Sequence, residues 1–287
     1  MFLKTVEYTR PDTVDEALGI LGSNDGAAPL AGGQSLVNVL KHRVASVELL
    51  VDISSIEELR ALRRGAAGAL EIGACVTYDE LDQSSEVRSS HRILSDVASH
   101  IEDVQIRNRG TIGGNCCLSD PTNNLPPLLV ALDAQMNIRS VGRSRHVPAQ
   151  EFFKGYFYTA LEPGELLTSI TLPGLPPGTG VGYSSLNVAP DAKTIVRSAA
   201  RVRVDGTIQD VRIVLARIAA IPIRYSTLED ALRGVPPTED AIRAASESVP
   251  DNLDAVADVH ASSQYRQDMA RVVARRAVLE AVLEATR

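Results

Sequence analysis

Two segments built on adjacent glycines constrain this chain more than any other feature: Ala31-Gly32-Gly33-Gln34-Ser35 and Thr111-Ile112-Gly113-Gly114-Asn115. Each follows an extended or loop segment and sets hydroxyl or amide side chains beside the glycines. Glycine admits positive φ and lets backbone N–H groups approach a ligand closely, which suits a pyrophosphate. Ser35 and Thr111 add hydroxyl donors, and a helix opening near Leu36 would point its positive end at an anion. Paired glycines also make ordinary tight turns, and neither segment alone separates the two readings. The chain has no G-x-x-x-x-G-K-[ST] and no G-x-G-x-x-G between a strand and a helix. Gly178-Thr179-Gly180-Val181-Gly182 follows Pro-Pro and leads into an extended segment, so it reads as linker.

Around these segments the pattern is a mixed α+β one. Thr13 and Glu16 form a capping box for a short helix carrying Val14, Ala17, Leu18 and Leu21, with Gly22 placed as its stop. Strands are expected at Ala27–Ala31 and Leu49–Ile53, with a helix from Leu36 to His42 between them. A second unit begins near Ile56. It has a strand at Leu70–Val76, a helix capped by Thr77 and Glu80, helices at Ile93–Ile101 and Leu125–Leu132, and strands at Gln135–Arg139 and Glu165–Leu172. The Pro/Gly-dense stretch 173–178 is the best internal boundary. Beyond it, Asp205-Gly206 marks a hairpin, Val211–Ile218 continues the sheet, and two or three helices close the chain. The last, 264–285, sets Met269, Val272, Val273 and Leu279 on an apolar stripe. The domains expected are 1–55, 56–175 and 179–287.

Several classes of chemistry are excluded or disfavoured. At 287 residues and 44% hydrophobic content the chain can bury a substantial core, and its net charge of -7 argues against a nucleic-acid surface. No apolar run approaches the length of a membrane span. Cys75, Cys116 and Cys117 are odd in number and lack C-x-x-C spacing, which supports neither a disulfide framework nor a zinc or iron–sulfur ligand set and fits a reducing cytoplasm. Cys116-Cys117 reads as packing beneath the second glycine pair. The five histidines lack metal-ligand spacing, and no G-x-S-x-G nucleophile motif occurs. No catalytic or metal-binding residue is therefore assigned. Arg107 and Arg109 either hold the second glycine segment, contact phosphate, or form a solvated pair.

The segments Pro29–Leu36, Val51–Ser54, Gln105–Asn115, Asp120–Ala134, Phe152–Ile170 and Ser262–Ala281 closely resemble, in order and across nearly the whole chain, the flavoprotein subunits of the molybdenum hydroxylases. That family includes the carbon monoxide dehydrogenase medium chain and the xanthine dehydrogenase FAD domain. The resemblance implies a para-cresol-methylhydroxylase-type FAD-binding fold of two α/β subdomains, then a C-terminal domain of a three-stranded sheet with helices. It implies FAD between the two subdomains, its pyrophosphate held by Ala31, Gly32, Gly33, Gln34, Ser35 and Leu36 and by Thr111, Ile112, Gly113, Gly114 and Asn115. Leu30, Gly110 and Asn124 join these, and Leu166 or Leu167 is carried over as a neighbour of the flavin.

The implied role is electron transfer from iron–sulfur clusters of a small partner subunit, fed by a molybdenum cofactor in a large one, through FAD to an external acceptor. A dimer of heterotrimers is the implied assembly. Two departures stand out: Asn124 replaces the family's usual Asp, and Ser185 stands where many relatives have Lys, with Lys193 the nearest substitute. The departures motivate one alternative, an interaction subunit that has lost FAD; a self-contained flavin oxidoreductase on the same fold is a second.

Overall fold

The structure is a computed structural model that describes residues 3–188, 194–249 and 253–287. Lys193 lies outside the described residues. The chain opens with β1 (Glu7–Thr9), α1 (Val14–Ser23), β2 (Ala27–Leu30), α2 (Leu36–Lys41) and β3 (Leu49–Asp52). Strands β4 (Leu62–Arg64) and β5 (Leu70–Gly73) follow. A helical stretch comes next: α3 (Tyr78–Gln83), α4 (Ser85–Ser90), α5 (Arg92–Ser99), α6 (Val104–Arg107), α7 (Ile112–Leu118) and α8 (Leu125–Ala131). Next are β6 (Gln135–Ser140), β7 (Arg143–Pro148), α9 (Ala149–Phe152), β8 (Phe153–Gly155), β9 (Tyr158–Thr159) and β10 (Leu166–Leu172). The remainder is β11 (Thr179–Asn187), β12 (Thr194–Asp205), β13 (Thr207–Ala216), β14 (Ile223–Arg224), α10 (Ser226–Leu232), α11 (Glu239–Ser248) and α12 (Ser263–Ala285).

These elements form two compact units. The first gathers the described residues up to Leu118 with Ala134–Phe152 and Phe157–Pro173; the second gathers Ser119–Asp133, Phe153–Tyr156 and the described residues from Gly174 onward. In the first unit, β1-β3-β2 make a parallel sheet and β4-β5-β10-β6-β7 a five-stranded one with antiparallel pairing throughout. Helix α1 buries Val14, Ala17, Leu18 and Leu21 against Val51, Ile53, Ile56, Leu59, Cys75 and Leu166. Truncating a buried leucine such as Leu18 to alanine would cost about 2–5 kcal/mol.

The Thr13 hydroxyl caps α1 by accepting from Glu16 N at 3.2 Å, while the Glu16 carboxylate reaches one residue further back, to Asp12 N at 3.0 Å. Gly22 is not the stop: the helix runs through Ser23 and ends at the extended Asn24. There the Asn24 side chain accepts from Gly26 N, offering the backbone a turn in place of another helical residue. The edge strands β4 and β7 carry no apolar run to announce them. They are rich in arginine (Arg63 and Arg64; Arg143 and Arg145), the kind of charge that discourages further strand pairing.

In the second unit, β11-β12-β13-β14 form an antiparallel sheet, so the expected three strands gain a two-residue fourth at the edge. Gly206, at φ 68°, turns the β12–β13 hairpin. The stretch expected as linker at 178–182 is instead largely strand β11, with α12 lying directly on it. A Cβ on Gly180 or Gly182 would sit 2.1 Å from Ala281 O or 2.0 Å from Ala277 O. That closeness also corrects the α12 stripe. Its buried face is Arg266 followed by Ala270, Val273, Ala274, Ala277, Val278, Ala281 and Val282, the last seven small residues suited to close backbone approach, while Met269 and Leu279 are only partly buried.

Candidate phosphate-binding site

Strand β2 delivers the chain to a turn at Gly33, where φ is 73° and an L-residue would be strained. The turn is closed from inside: Gln34 Nε2 donates to Gly32 O, Asn38 Nδ2 to Gln34 O, and Val37 N to Gly33 O. Its own donors stay open. Among the described residues, no acceptor meets the backbone N–H groups of Gly32, Gly33, Gln34 and Ser35. The Ser35 hydroxyl makes no capping bond, and the residue is exposed. Four successive unsatisfied N–H groups beside a free hydroxyl suit an anion, because buried or half-buried donors need a partner.

The second glycine pair is built differently. It is the first turn of α7, not a loop, and its donors are used within the unit. Ile112 N donates to Val76 O, Gly113 N to Ala74 O, Gly114 N to Thr111 Oγ1 and Asn115 N to Thr111 O, at 2.9–3.1 Å. Thr111 thus caps the helix while its backbone bridges Thr77. Gly113 is buried, and a Cβ on it would meet Ala74 O at 2.5 Å. Beneath this turn Asn115 Nδ2 donates to the Tyr78 hydroxyl at 3.0 Å, and burial holds the Tyr78 phenol well above its ordinary range. Cys75, Cys116 and Cys117 are free thiols; burial pushes Cys75 and Cys117 up to about 12, so they stay protonated at neutral pH. Arg107 donates to Ile101 O and Glu102 O and so holds its own turn.

Gly32 brings the two segments together. A Cβ there would fall 1.9 Å from Arg109 O and 3.0 Å from Gly110 Cα, so only glycine permits this backbone contact. Residues 30–36 and 109–115 therefore adjoin, with the open donors on one segment and a rigid, internally bonded wall on the other. Leu166 and Leu167 lie buried in β10 of the same unit, Leu166 packed against α1 and Ile53. Asn124 belongs to the second unit, just before α8; its carbonyl accepts from the Tyr183 hydroxyl at 2.9 Å. The buttressing parts, the Arg109 carbonyl and Tyr78, left no local signal in the sequence, because their partners lie tens of residues away. Among the described residues, no cluster of His, Cys, Asp and Glu is placed to hold a metal ion, and no helix is long and apolar enough to cross a membrane.

An α+β chain with a row of open main-chain donors on a strand-to-helix turn, next to a second glycine turn, has geometry suited to a phosphate-bearing cofactor. Residues 4–175 match the family described as the FAD binding domain in molybdopterin dehydrogenase, and residues 183–281 match the CO dehydrogenase flavoprotein C-terminal domain. The chain is 33% identical to the carbon monoxide dehydrogenase medium chain of Hydrogenophaga pseudoflava, over 95% of each chain. It is 31% identical to the glyceraldehyde dehydrogenase medium chain of Sulfolobus acidocaldarius, over 98% of this chain and 99% of that one. A crystal structure of quinoline 2-oxidoreductase from Pseudomonas putida 86 superposes with a TM-score of 0.94 at 29% identity, covering all of both chains. The chain belongs to this family: it is an FAD-binding flavoprotein subunit of the molybdenum hydroxylases, and its cofactor is FAD.

Proposed function

We propose that this chain passes electrons from iron–sulfur clusters of a small partner subunit, supplied by a molybdenum centre in a large one, to an external acceptor, working within a dimer of heterotrimers. The observation that carries the reading is the row of open N–H groups at Gly32–Ser35 in a chain of this family. When bound, FAD supplies the redox chemistry, taking up and releasing electrons. The protein's part is binding and orientation. The N–H groups of Gly32, Gly33, Gln34 and Ser35 and the Ser35 hydroxyl hold the pyrophosphate, with Leu30, Ala31 and Leu36 shaping the turn. Gly110, Thr111, Ile112, Gly113, Gly114 and Asn115 form the wall behind it. Leu166 or Leu167, in the same unit, contacts another part of the cofactor.

Substrate hydroxylation belongs to another polypeptide. The relatives are named for carbon monoxide, glyceraldehyde and quinoline, and nothing in this chain's own residues selects among such substrates. An odd number of cysteines without C-x-x-C spacing fits a reducing cytoplasm.

The test is an absorbance spectrum and FAD titration of the full chain beside Gly33→Val, which forces a β-branched residue to positive φ where the phosphate approaches. Stoichiometric yellow protein whose affinity falls at least about a hundredfold in the variant supports the reading. A folded wild type that takes up no FAD would point to the interaction subunit, and turnover of an organic substrate by the isolated chain to a self-contained oxidoreductase.

A further inference from the structure

The second glycine segment is preceded by two arginines, and the fold uses them differently. Arg107 commits its guanidinium to the turn that carries it, donating to Ile101 O and Glu102 O. Arg109 is exposed, and among the described residues its guanidinium has no hydrogen bond and no ion pair. Its main chain, by contrast, is held. Arg109 N donates to Ile106 O at 3.1 Å, Gly110 N donates to the same carbonyl, and Gly110 O accepts from Tyr78 N at 3.0 Å. The Arg109 carbonyl is the atom that a Cβ on Gly32 would meet at 1.9 Å. A fixed backbone therefore roots a free cation against the first residue of the open N–H row, within one compact unit.

Full charge is otherwise lacking at the row. Residues 30–36 and 110–115 carry no charged side chain, acidic or basic. The open N–H groups of Gly32–Ser35 and the Ser35 hydroxyl offer only partial charges, whereas a diphosphate is doubly anionic. The next cation along the first segment, Lys41, stands in the last turn of α2, and the helix rises about 8 Å from Leu36 to reach it. The row from Gly32 to Ser35 spans at most about 11 Å even when extended, and as a turn it spans less. An arginine rooted beside Gly32 is long enough to reach phosphate oxygens on that row. Its planar fork gives them charge-assisted bonds, which neutral main-chain donors do not.

We propose that Arg109 neutralises the FAD diphosphate, its guanidinium pairing with phosphate oxygens seated on the Gly32–Ser35 row. The inference rests on the reading above that this row holds the diphosphate. It adds a division of labour to that reading: the backbone fixes where the phosphates sit, and one exposed side chain supplies the charge. An exposed guanidinium without partners contributes little to the fold, so its replacement reads out as a change in binding.

The experiment is FAD titration of the full FAD-free chain beside Arg109→Lys, Arg109→Gln and Arg109→Glu, with the melting temperature recorded for each protein. Titrations are run at about 0.1 M and about 1 M salt, between which the screening length falls from about 10 Å to about 3 Å. At the lower salt, Arg109→Gln weakens FAD binding by about tenfold, the effect of losing a hydrogen-bonded charge pair, and Arg109→Glu, which adds repulsion, by about a hundredfold. Arg109→Lys keeps the charge without the fork and stays within about threefold of wild type. At the higher salt the gap between the Gln and Glu variants narrows to about threefold, because screening acts on charge and not on shape. Without FAD, all four proteins melt within about 1–2 °C of one another. Wild-type affinity in Arg109→Gln, equal losses in the Gln and Glu variants, or a gap that salt does not narrow overturns the inference. A loss of affinity matched by a fall in melting temperature overturns it too. Gly33→Val separates these failures from a failure of the cradle: if it still loses FAD, the row holds the cofactor without Arg109. A wild type that takes up no FAD removes the reading and the inference together.

Discussion

Gly32-Gly33 and Gly113-Gly114 are the same dipeptide in the same unit, each with a hydroxyl neighbour, and the fold uses them in opposite ways. At the first, Gly33 takes positive φ and the N–H groups from Gly32 to Ser35 are left without acceptors among the described residues. At the second, the glycines are helical, Thr111 closes the turn over them, and Ala74 and Val76 take the N–H groups of Gly113 and Ile112. The difference lies in where the acceptors are. A glycine pair whose donors are satisfied by neighbouring strands is a packing device, and one whose donors remain open is a cradle. The two meet at Gly32, which can touch the Arg109 carbonyl only because it carries no Cβ.

The largest expected effect comes from breaking the packed pair. Gly113→Ala would place a methyl 2.5 Å from Ala74 O and 2.6 Å from Ala74 Cβ in a buried position. Overpacking there should cost about 3 kcal/mol, lowering the melting temperature by roughly 6–12 °C, while the folded fraction keeps its FAD affinity within about threefold. A thermal melt and a titration on the same sample check both halves. Ser35→Ala sharpens the contrast from the other side. The exposed hydroxyl does nothing for the fold, so the FAD-free protein should melt within about 1 °C of wild type, while FAD affinity drops about five- to tenfold.

The smallest effect is a control away from both pairs. The Arg145 guanidinium, bonded to Glu165 at 2.5 and 2.7 Å, holds that carboxyl below the usual carboxylate range. A folded-state pKa lowered in this way contributes stability above the unfolded pKa of about 4.3, and that contribution is lost as pH falls through the folded value. Glu165→Gln should therefore be less stable than wild type at pH 7, with the gap closing in acid denaturation series below about pH 4, and with no change in FAD affinity at neutral pH.

Much of this was legible in the residues themselves. The Thr13 cap, the β2–α2 turn, the Thr77–Glu80 capping box and the Asp205-Gly206 hairpin are local, and local chemistry announces them. The first glycine pair was legible as a turn but not as an open one, because paired glycines also make ordinary tight turns, and only the fold shows which N–H groups are left without acceptors. The closed second pair was not, because its closure depends on carbonyls of Ala74 and Val76, more than thirty residues upstream. Gly180 and Gly182 read as linker for a similar reason: the helix they admit is about a hundred residues later. Strands β4 and β7 were missed because charged edges carry no apolar alternation.

The most direct test of the asymmetry between the two pairs is amide hydrogen exchange on the full chain with and without FAD. The account predicts that FAD slows exchange by at least about tenfold at Gly32, Gly33, Gln34 and Ser35, whose N–H groups gain acceptors, and leaves Gly113, Gly114 and Asn115 as protected as they already were. Protection gained at Gly113–Asn115 with none at Gly32–Ser35 would contradict it and make the second pair the cradle.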